Sequence, residues 1–190
     1  MRLVLLAAGA ARRMAGADKL TEPVDGMPLL RRQAIAALAA GLGPVAVTLP
    51  LDRPARVEAL QGLAVEPLMV PDAVEGMSAS LRRAALWAAG EALMVIPADM
   101  PELEAGDFRA LASGFDRQTP LRASAEDGTP GHPVVFPGAL LAEFADLRGD
   151  EGARTVLRRH PPALLALPGR RALVDLDSPE AWAAWRAERG

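Results

Sequence analysis

Short apolar runs alternate with longer amphipathic stretches along most of this chain. The apolar runs predict strands at residues 3–6, 45–49, 66–70, 92–96, 121–124, 133–136, 163–167 and 172–174. Apolar residues at helical spacing predict helices at residues 29–40, 55–60, 78–89, 140–144 and 153–159, with others after Gly106 and from Pro179. We expect Ser78 to cap the third of these helices and Gly90 to end it.

The order of these elements predicts the fold class. Strands of continuous apolar sequence, most of them followed by a helix, are typical of a mainly parallel sheet buried between two helical layers. We therefore expect a three-layer α/β fold. Since no internal repeat, low-complexity tract or linker interrupts the pattern, we expect residues 1–190 to form a single domain.

Composition and charge narrow the classes of partner. The chain has 190 residues, a formal net charge of −3 and no cysteine. The negative charge argues against a general nucleic-acid-binding or membrane-binding surface, and the lack of cysteine excludes disulfides and thiolate metal sites. No apolar run is long enough to span a bilayer, and no basic leader with a cleavage site is evident, so we expect a cytoplasmic protein.

We expect the chemistry to lie where the first predicted strand ends. That strand leads into small residues and then basic ones: Leu6, Ala7, Ala8, Gly9, Arg12, Arg13 and, further on, Lys19. Small residues let backbone N–H groups approach a phosphate closely, and Arg13 and Lys19 supply positive charge. The segment matches neither the Walker phosphate-binding loop nor the G-x-G-x-x-G dinucleotide motif. An alanine-rich turn beside a solvated basic face has the same spacing, so the spacing alone leaves both interpretations open.

Asp99 is the second candidate feature, and it directly follows a buried predicted strand. An aspartate at the carboxyl end of a central parallel strand faces the same crevice as the first loop. One carboxylate together with substrate phosphates is a usual way to hold Mg²⁺. Taken alone, Asp99 is more typical of a turn or a helix cap than of a metal ligand. Its combination with the first loop favours metal binding.

Six sequence blocks, in their order and spacing, make the chain resemble the nucleotidyltransferases of molybdenum cofactor biosynthesis, most closely the molybdenum cofactor cytidylyltransferases. The blocks are residues 6–9 with Arg13, Met14 and Lys19, then residues 76–81, 98–101, 131–136, 149–154 and 174–180. The resemblance implies a Rossmann-like mixed sheet of the nucleotide-diphospho-sugar transferase kind. It also implies transfer of CMP from CTP to the terminal phosphate of molybdenum-molybdopterin, with release of pyrophosphate.

The resemblance also implies roles for individual residues. The implied nucleotide-binding residues are Leu6, Ala7, Ala8, Gly9, Arg13, Lys19, Asp72, Gly76, Met77, Ser78 and Asp99. Arg13 and Lys19 are implied to stabilise the departing pyrophosphate, and the segment 76–80 to receive the base. Asp99 is implied to hold Mg²⁺, or Mn²⁺, and we prefer Asp177 to Asp175 as the second ligand.

His132 and Arg154 are the candidate contacts to the phosphorylated pterin. Each has a structural alternative, His132 as a hydrogen-bonded structural residue and Arg154 as a helix cap. The chemistry needs no activated serine, cysteine or histidine, because the acceptor phosphate is already an anionic nucleophile.

Several alternatives remain open for the function itself. Ala8 favours CTP, because the guanylyltransferase branch usually carries a second glycine in this loop, and GTP stays open. A transferase of the same fold that uses another phosphorylated acceptor is one alternative. A non-catalytic accessory protein that binds the nucleotide or the cofactor is another. We expect a molybdoenzyme or its chaperone to receive the product.

Overall fold

The computed structural model describes residues 1–9 and 18–189, along which strands and helices alternate. The strands are β1 (Arg2–Leu6), β2 (Pro23–Val24), β3 (Met27–Pro28), β4 (Val45–Leu49), β5 (Glu66–Met69), β6 (Leu93–Pro97), β7 (Leu121–Ser124), β8 (Pro130–Phe136) and β9 (Ala163–Ala166). The helices are α1 (Leu29–Ala39), α2 (Pro54–Ala59), α3 (Met77–Ala88), α4 (Ala105–Gly114), α5 (Arg154–Arg159) and α6 (Pro179–Arg189). Two 3₁₀ helices lie at Ala73–Glu75 and Gly138–Asp146.

Seven of the described strands form one mixed sheet in the order β5-β4-β1-β6-β8-β7-β9. β1 pairs in parallel with β4 and β6, and β4 pairs in parallel with β5. β8 runs antiparallel to both of its neighbours, β6 and β7, and β9 returns to the parallel direction beside β7. The mainly parallel, mixed α/β sheet expected from the sequence is therefore confirmed.

Helices cover both faces of the sheet, which makes the three layers. In β1, Leu3 and Leu5 belong to one apolar cluster together with residues of α1, α4 and α6. Val4 belongs to a second cluster, with residues of α3, α5 and the 3₁₀ helix Gly138–Asp146. Because successive side chains of a strand point to opposite faces, one buried strand contributes to both clusters. None of the described helices combines the length and the apolar composition that crossing a bilayer requires.

Two local predictions from the sequence are wrong. Ser78 does not cap α3 but lies buried inside it, since the helix already begins at Met77, after Gly76. Residues 172–174 form a turn instead of a strand, in which the backbone N–H of Leu173 bonds to Arg170. The helix predicted at 140–144 is confirmed, and it is of the 3₁₀ type and spans Gly138–Asp146.

Candidate active site

The candidate site lies at the carboxyl edge of the sheet, where β1 and β6 end side by side. Leu6 and Pro97 are paired in the register of these two strands. Beyond that pair, the backbone N–H of Ala98 donates to the Leu6 carbonyl at 3.3 Å. The loop that follows β1 and the residue Asp99 therefore start from adjacent points, as expected for neighbouring parallel strands.

Lys19 and Asp99 are in direct contact at this edge. The Lys19 Nζ donates to the Asp99 Oδ2 at 2.5 Å, and only 18% of each side chain is exposed. A charge-assisted bond of this kind, partly removed from water, holds both side chains in place. Residues 80 positions apart in sequence thus bring an ammonium and a carboxylate together. Arg13, the other predicted cation, lies outside the described residues.

Two residues that the sequence analysis does not single out hold the first loop. The hydroxyl of Thr48, which is buried in β4, accepts a hydrogen bond from the Ala7 N–H at 3.1 Å. Arg56 of α2 is fully buried and donates to the carbonyl oxygens of Ala7 and Gly9 at 2.6 and 3.0 Å. The loop is therefore fixed from the sheet and from a helix.

Two further acidic residues lie beside Asp99. The backbone N–H of Leu176 donates to the Asp99 carbonyl at 3.0 Å, which places Asp175 and Asp177 beside it. Burial, and then the negative charges of Asp99 and Asp177, raise the pKa of the Asp175 carboxyl above its usual value. Carboxylates crowded in this way attract a cation.

This donor set fits an ion that is only partly coordinated by protein. Among the side chains that the structure describes, no group of three histidine, aspartate or glutamate residues could hold a metal ion. Mg²⁺ commonly binds to one or two carboxylates and takes its other ligands from water and substrate phosphates. Asp99 with Asp177 or Asp175 satisfies that requirement.

A basic group lies on the other side of Asp99. β8 runs against β6, so His132, near the start of β8, lies at the same edge as the end of β6. Burial, and then the charge of Arg122, lower the pKa of His132 to about 4, while Asp99 opposes this and Arg154 adds to it. The His132 Nδ1 is buried without a hydrogen-bond partner among the described residues.

Arg122, which the sequence analysis also misses, completes this basic group. It lies on β7, and its Nε donates to the Gly131 carbonyl at 2.7 Å, next to His132. Burial and repulsion from Arg154 lower the pKa of Arg122. The structure therefore brings the predicted residues His132 and Arg154 together and adds a second arginine, which makes a place suited to an anion.

The first turn of α3 contacts the loop after β1. Ala79 and Ala8 pack in one small apolar cluster with Val70. Asp72 forms an ion pair with Arg82 at 2.7 Å, and 45% of the Asp72 side chain is exposed. The structure thus places the predicted nucleotide-side segment next to the loop.

Close packing against the 149–150 turn explains the glycine at position 76. Gly76 has a φ of 104°, and a Cβ there would lie 2.3 Å from the Asp150 Oδ1. The N–H of Ser78, which follows half-exposed Met77, donates to the Gly149 carbonyl at 3.1 Å. The 149–150 turn therefore fills the space that a side chain at position 76 would need.

Comparisons with known proteins give the family. Residues 3–164 match the family described as MobA-like NTP transferase domain. A molybdenum cofactor guanylyltransferase of Cereibacter sphaeroides is 34% identical over 192 residues, covering 95% of this chain and 93% of that protein.

Solved structures with the same fold agree with this match. A crystal structure from Mycobacterium sp. strain JC1 is 25% identical and has a TM-score of 0.86, covering 98% of this chain and 95% of that one. A Mycobacterium tuberculosis H37Rv protein, solved as a complex with manganese, is 23% identical and has a TM-score of 0.78, covering 96% of each chain. The chain therefore belongs to the family of MobA-like NTP transferase domains and is a nucleotidyltransferase.

Proposed function

We propose that this protein transfers a nucleotidyl group from a nucleoside triphosphate to the terminal phosphate of molybdenum-molybdopterin, a phosphorylated pterin. An oxygen of the acceptor phosphate attacks the α-phosphorus, the bond from the α-phosphorus to the bridging oxygen breaks, and pyrophosphate leaves. The observation that carries the proposal is the contact between Lys19 and Asp99 at the carboxyl edge of the sheet.

The choice of lysine at position 19 supports a role in binding the triphosphate. Lys19 is the only lysine among the 21 lysine and arginine residues of the chain. An ammonium is a compact point charge with freely rotating donors, whereas a guanidinium is a rigid planar fork. The ammonium of Lys19 has three N–H donors, so one can bind Asp99 while another binds a phosphate oxygen. We propose that Lys19, together with Arg13, stabilises the charge that develops on the departing pyrophosphate.

We propose that Asp99 holds a Mg²⁺ or Mn²⁺ ion, with Asp177 preferred to Asp175 as the second carboxylate. The crowding that raises the pKa of Asp175 supports a cation here, and one similar solved structure is described as a complex with manganese. A divalent cation bound at this place supplies neutralisation of charge on the phosphate oxygens. Asp99 itself also orients Lys19 through their hydrogen bond.

We propose that the acceptor phosphate binds between His132, Arg154 and Arg122. Two guanidinium groups that repel one another are stabilised by an anion between them. A neutral His132 then offers one ring N–H to a phosphate oxygen without adding charge. The acceptor oxygen is already anionic, so no residue has to remove a proton from it. We further propose that the product passes to a molybdoenzyme or its chaperone in the cytoplasm.

We propose CTP as the nucleotide, with GTP as the alternative. Leu6, Ala7, Ala8 and Gly9 would hold its phosphates, and Asp72, Gly76, Met77 and Ser78 would lie on the side of its base. The methyl group of Ala8 is buried against the first turn of α3, which leaves less room there than a glycine would. This packing supports the smaller base. The name of the Cereibacter sphaeroides relative, a guanylyltransferase, supports GTP.

Pyrophosphate release tests the reaction. The purified protein is mixed with molybdenum-molybdopterin, Mg²⁺ and each of the four nucleoside triphosphates, and we expect release with CTP. Lys19→Arg and Asp99→Asn should each lower the rate about 10²–10³-fold without changing the circular dichroism spectrum. The matched control Asp25→Asn removes an exposed ion pair with Arg32 and should keep the wild-type rate. Wild-type turnover in Lys19→Arg or Asp99→Asn would refute the assignment of these roles.

The single lysine also allows a direct binding test. Acylation of amines, followed by mass spectrometry, reports the accessibility of Lys19, and the N-terminal amine is the internal reference. We expect CTP with Mg²⁺ to slow acylation of Lys19 and to leave the N-terminus unchanged. Protection without pyrophosphate release supports the accessory-protein alternative, and release only with a different phosphorylated acceptor supports another transferase of this fold.

A further inference from the structure

Arg56 is a buried arginine whose side chain, among the described residues, donates to residues on both sides of the segment 10–17. Its Nε and Nη2 donate to the two carboxylate oxygens of Asp18 at 2.7 and 2.9 Å. Its Nη1 donates to the carbonyl oxygens of Ala7 and Gly9. Asp18 and Gly9 are the described residues that flank the segment 10–17, so one side chain joins both flanks.

The burial of Arg56 requires this full set of partners. The side chain is 0% exposed, and a guanidinium removed from water is costly unless it is paired and its donors are bonded. Burial acts to raise the pKa of the Asp18 carboxyl. Hydrogen bonding and charge from Arg56 lower it by more than burial raises it, so the pKa lies below its usual value. Asp18 is therefore ionised, and the pair is neutral as a whole.

The contacts of Arg56 orient a backbone donor. A trans peptide is planar, so the Ala8 N–H points opposite to the Ala7 carbonyl and thus away from Arg56. The N–H of Ala7 is already bonded to Thr48, while the N–H of Ala8 has no acceptor among the residues that the structure describes. Under the proposed function, this donor binds a phosphate oxygen.

The hydrogen bonds of Asp18 also fix the backbone around Lys19. The Asp18 Oδ1 also accepts the backbone N–H of Leu20 at 3.1 Å, and the Thr21 hydroxyl donates to the Asp18 carbonyl at 2.9 Å. Lys19 lies between these anchored residues. Its backbone is thereby held where its Nζ reaches Asp99.

We infer that Arg56 is a positioning residue that sets the Ala8 N–H and the Lys19 ammonium in one geometry for the triphosphate. The inference rests on the proposed function, in which these two groups bind the phosphates. Arg56 lies on the opposite side of the loop backbone from the Ala8 N–H, so it acts through the loop.

The test compares Arg56→Lys with Arg31→Lys. Lysine keeps the charge, but its single ammonium does not reproduce the planar fork that reaches four acceptor atoms. Arg31 is the matched control, because it also bonds two carbonyl oxygens near α2, those of Ala59 and Gln61, without touching the loop. We expect kcat to fall about 10²-fold in Arg56→Lys, since a displacement of about 1 Å has that effect. We expect Arg31→Lys to keep the wild-type kcat.

Hydrogen exchange on the ligand-free protein supplies a readout that does not depend on activity. We expect faster amide exchange in residues 6–9 and 18–21 for Arg56→Lys, and wild-type exchange there for Arg31→Lys. If Arg56→Lys does not fold, Asp18→Asn weakens the same anchor and is measured in its place. Wild-type exchange in these segments, or wild-type kcat and nucleotide affinity in the anchor variant, overturns the inference. Absence of pyrophosphate release and of nucleotide binding in the wild-type protein overturns the proposed function instead, while the exchange result still decides whether Arg56 anchors the loop.

Discussion

Mild acid should destabilise the fold through His132. Its pKa is about 4 in the folded protein, mainly because of burial, against 6.5 for an ordinary histidine. Below pH 6.5 the unfolded chain takes up a proton that the folded chain does not, so the free energy of unfolding falls as the pH falls. Each full proton of difference changes this free energy by about 1.4 kcal/mol per pH unit. Integrated over the partial titration, the loss attributable to His132 is about 2 kcal/mol between pH 7 and pH 5, and it levels off below pH 4, where the folded histidine is protonated as well.

Urea unfolding of the wild-type protein and of His132→Gln at pH 7, 6 and 5 measures this loss. Other groups titrate over the same range, so the quantity of interest is the difference between the two proteins at each pH. We expect the free energy of unfolding of the variant, relative to that of the wild type, to rise by about 2 kcal/mol from pH 7 to pH 5. His160→Gln is the matched control, because it removes the half-exposed histidine paired with Glu143 and leaves His132 in place. Parallel pH profiles for the wild type and His132→Gln would refute the reasoning.

Three further predictions concern packing, the loop after β1 and the pair Lys19–Asp99. Gly76→Ala should lower the free energy of unfolding by about 2 kcal/mol or more, because its Cβ would lie 2.3 Å from the Asp150 Oδ1. Gly62→Ala, whose φ is 76° and whose Cβ meets nothing within 4 Å, should lose only about 1 kcal/mol in the same urea titration. Thr48→Val should cost about 1–3 kcal/mol in that assay because it leaves the Ala7 N–H unpaired, whereas Thr48→Ser should stay close to the wild type. Because Lys19 and Asp99 touch, the double variant Lys19→Met with Asp99→Asn should lose no more kcat in pyrophosphate release than the more damaged single variant, and additive losses would show that the two act independently.

The central strands were predictable because they are buried on both faces. Leu3, Val4 and Leu5 are all fully buried, so β1 shows as an unbroken apolar run. The hairpin of β2 and β3 was missed, because strands of two residues have no periodicity to detect. Residues 172–174 were predicted as a strand because they are apolar. The Ala172 carbonyl accepts a hydrogen bond from the N–H of His132, but no ladder of strand hydrogen bonds forms among the described residues.

The meeting of Lys19 with Asp99 was foreseeable, because the ends of neighbouring parallel strands share one edge of the sheet. The positions of Arg56 and Arg122 at the site were not foreseeable. On a short helix or a half-buried strand, an arginine that binds backbone carbonyls has the same sequence surroundings as a solvated one. Tertiary packing alone separates the two cases. Arg13 lies outside the described residues, so its role stays a prediction.

The reversal of β8 divides the sheet into two parts. Lys19 and Asp99 follow β1 and β6 in the chain, in the part of the sheet formed by β5, β4, β1 and β6, while β8 and β7 carry His132 and Arg122. The hairpin that joins β7 to β8, residues 125–129, opens at the shared edge. Under the proposed function, insertions or substitutions in this short connection would change how the acceptor binds and leave the nucleotide side unchanged. A single reversed strand would then allow different acceptors to be used with the same nucleotide-binding half of the sheet.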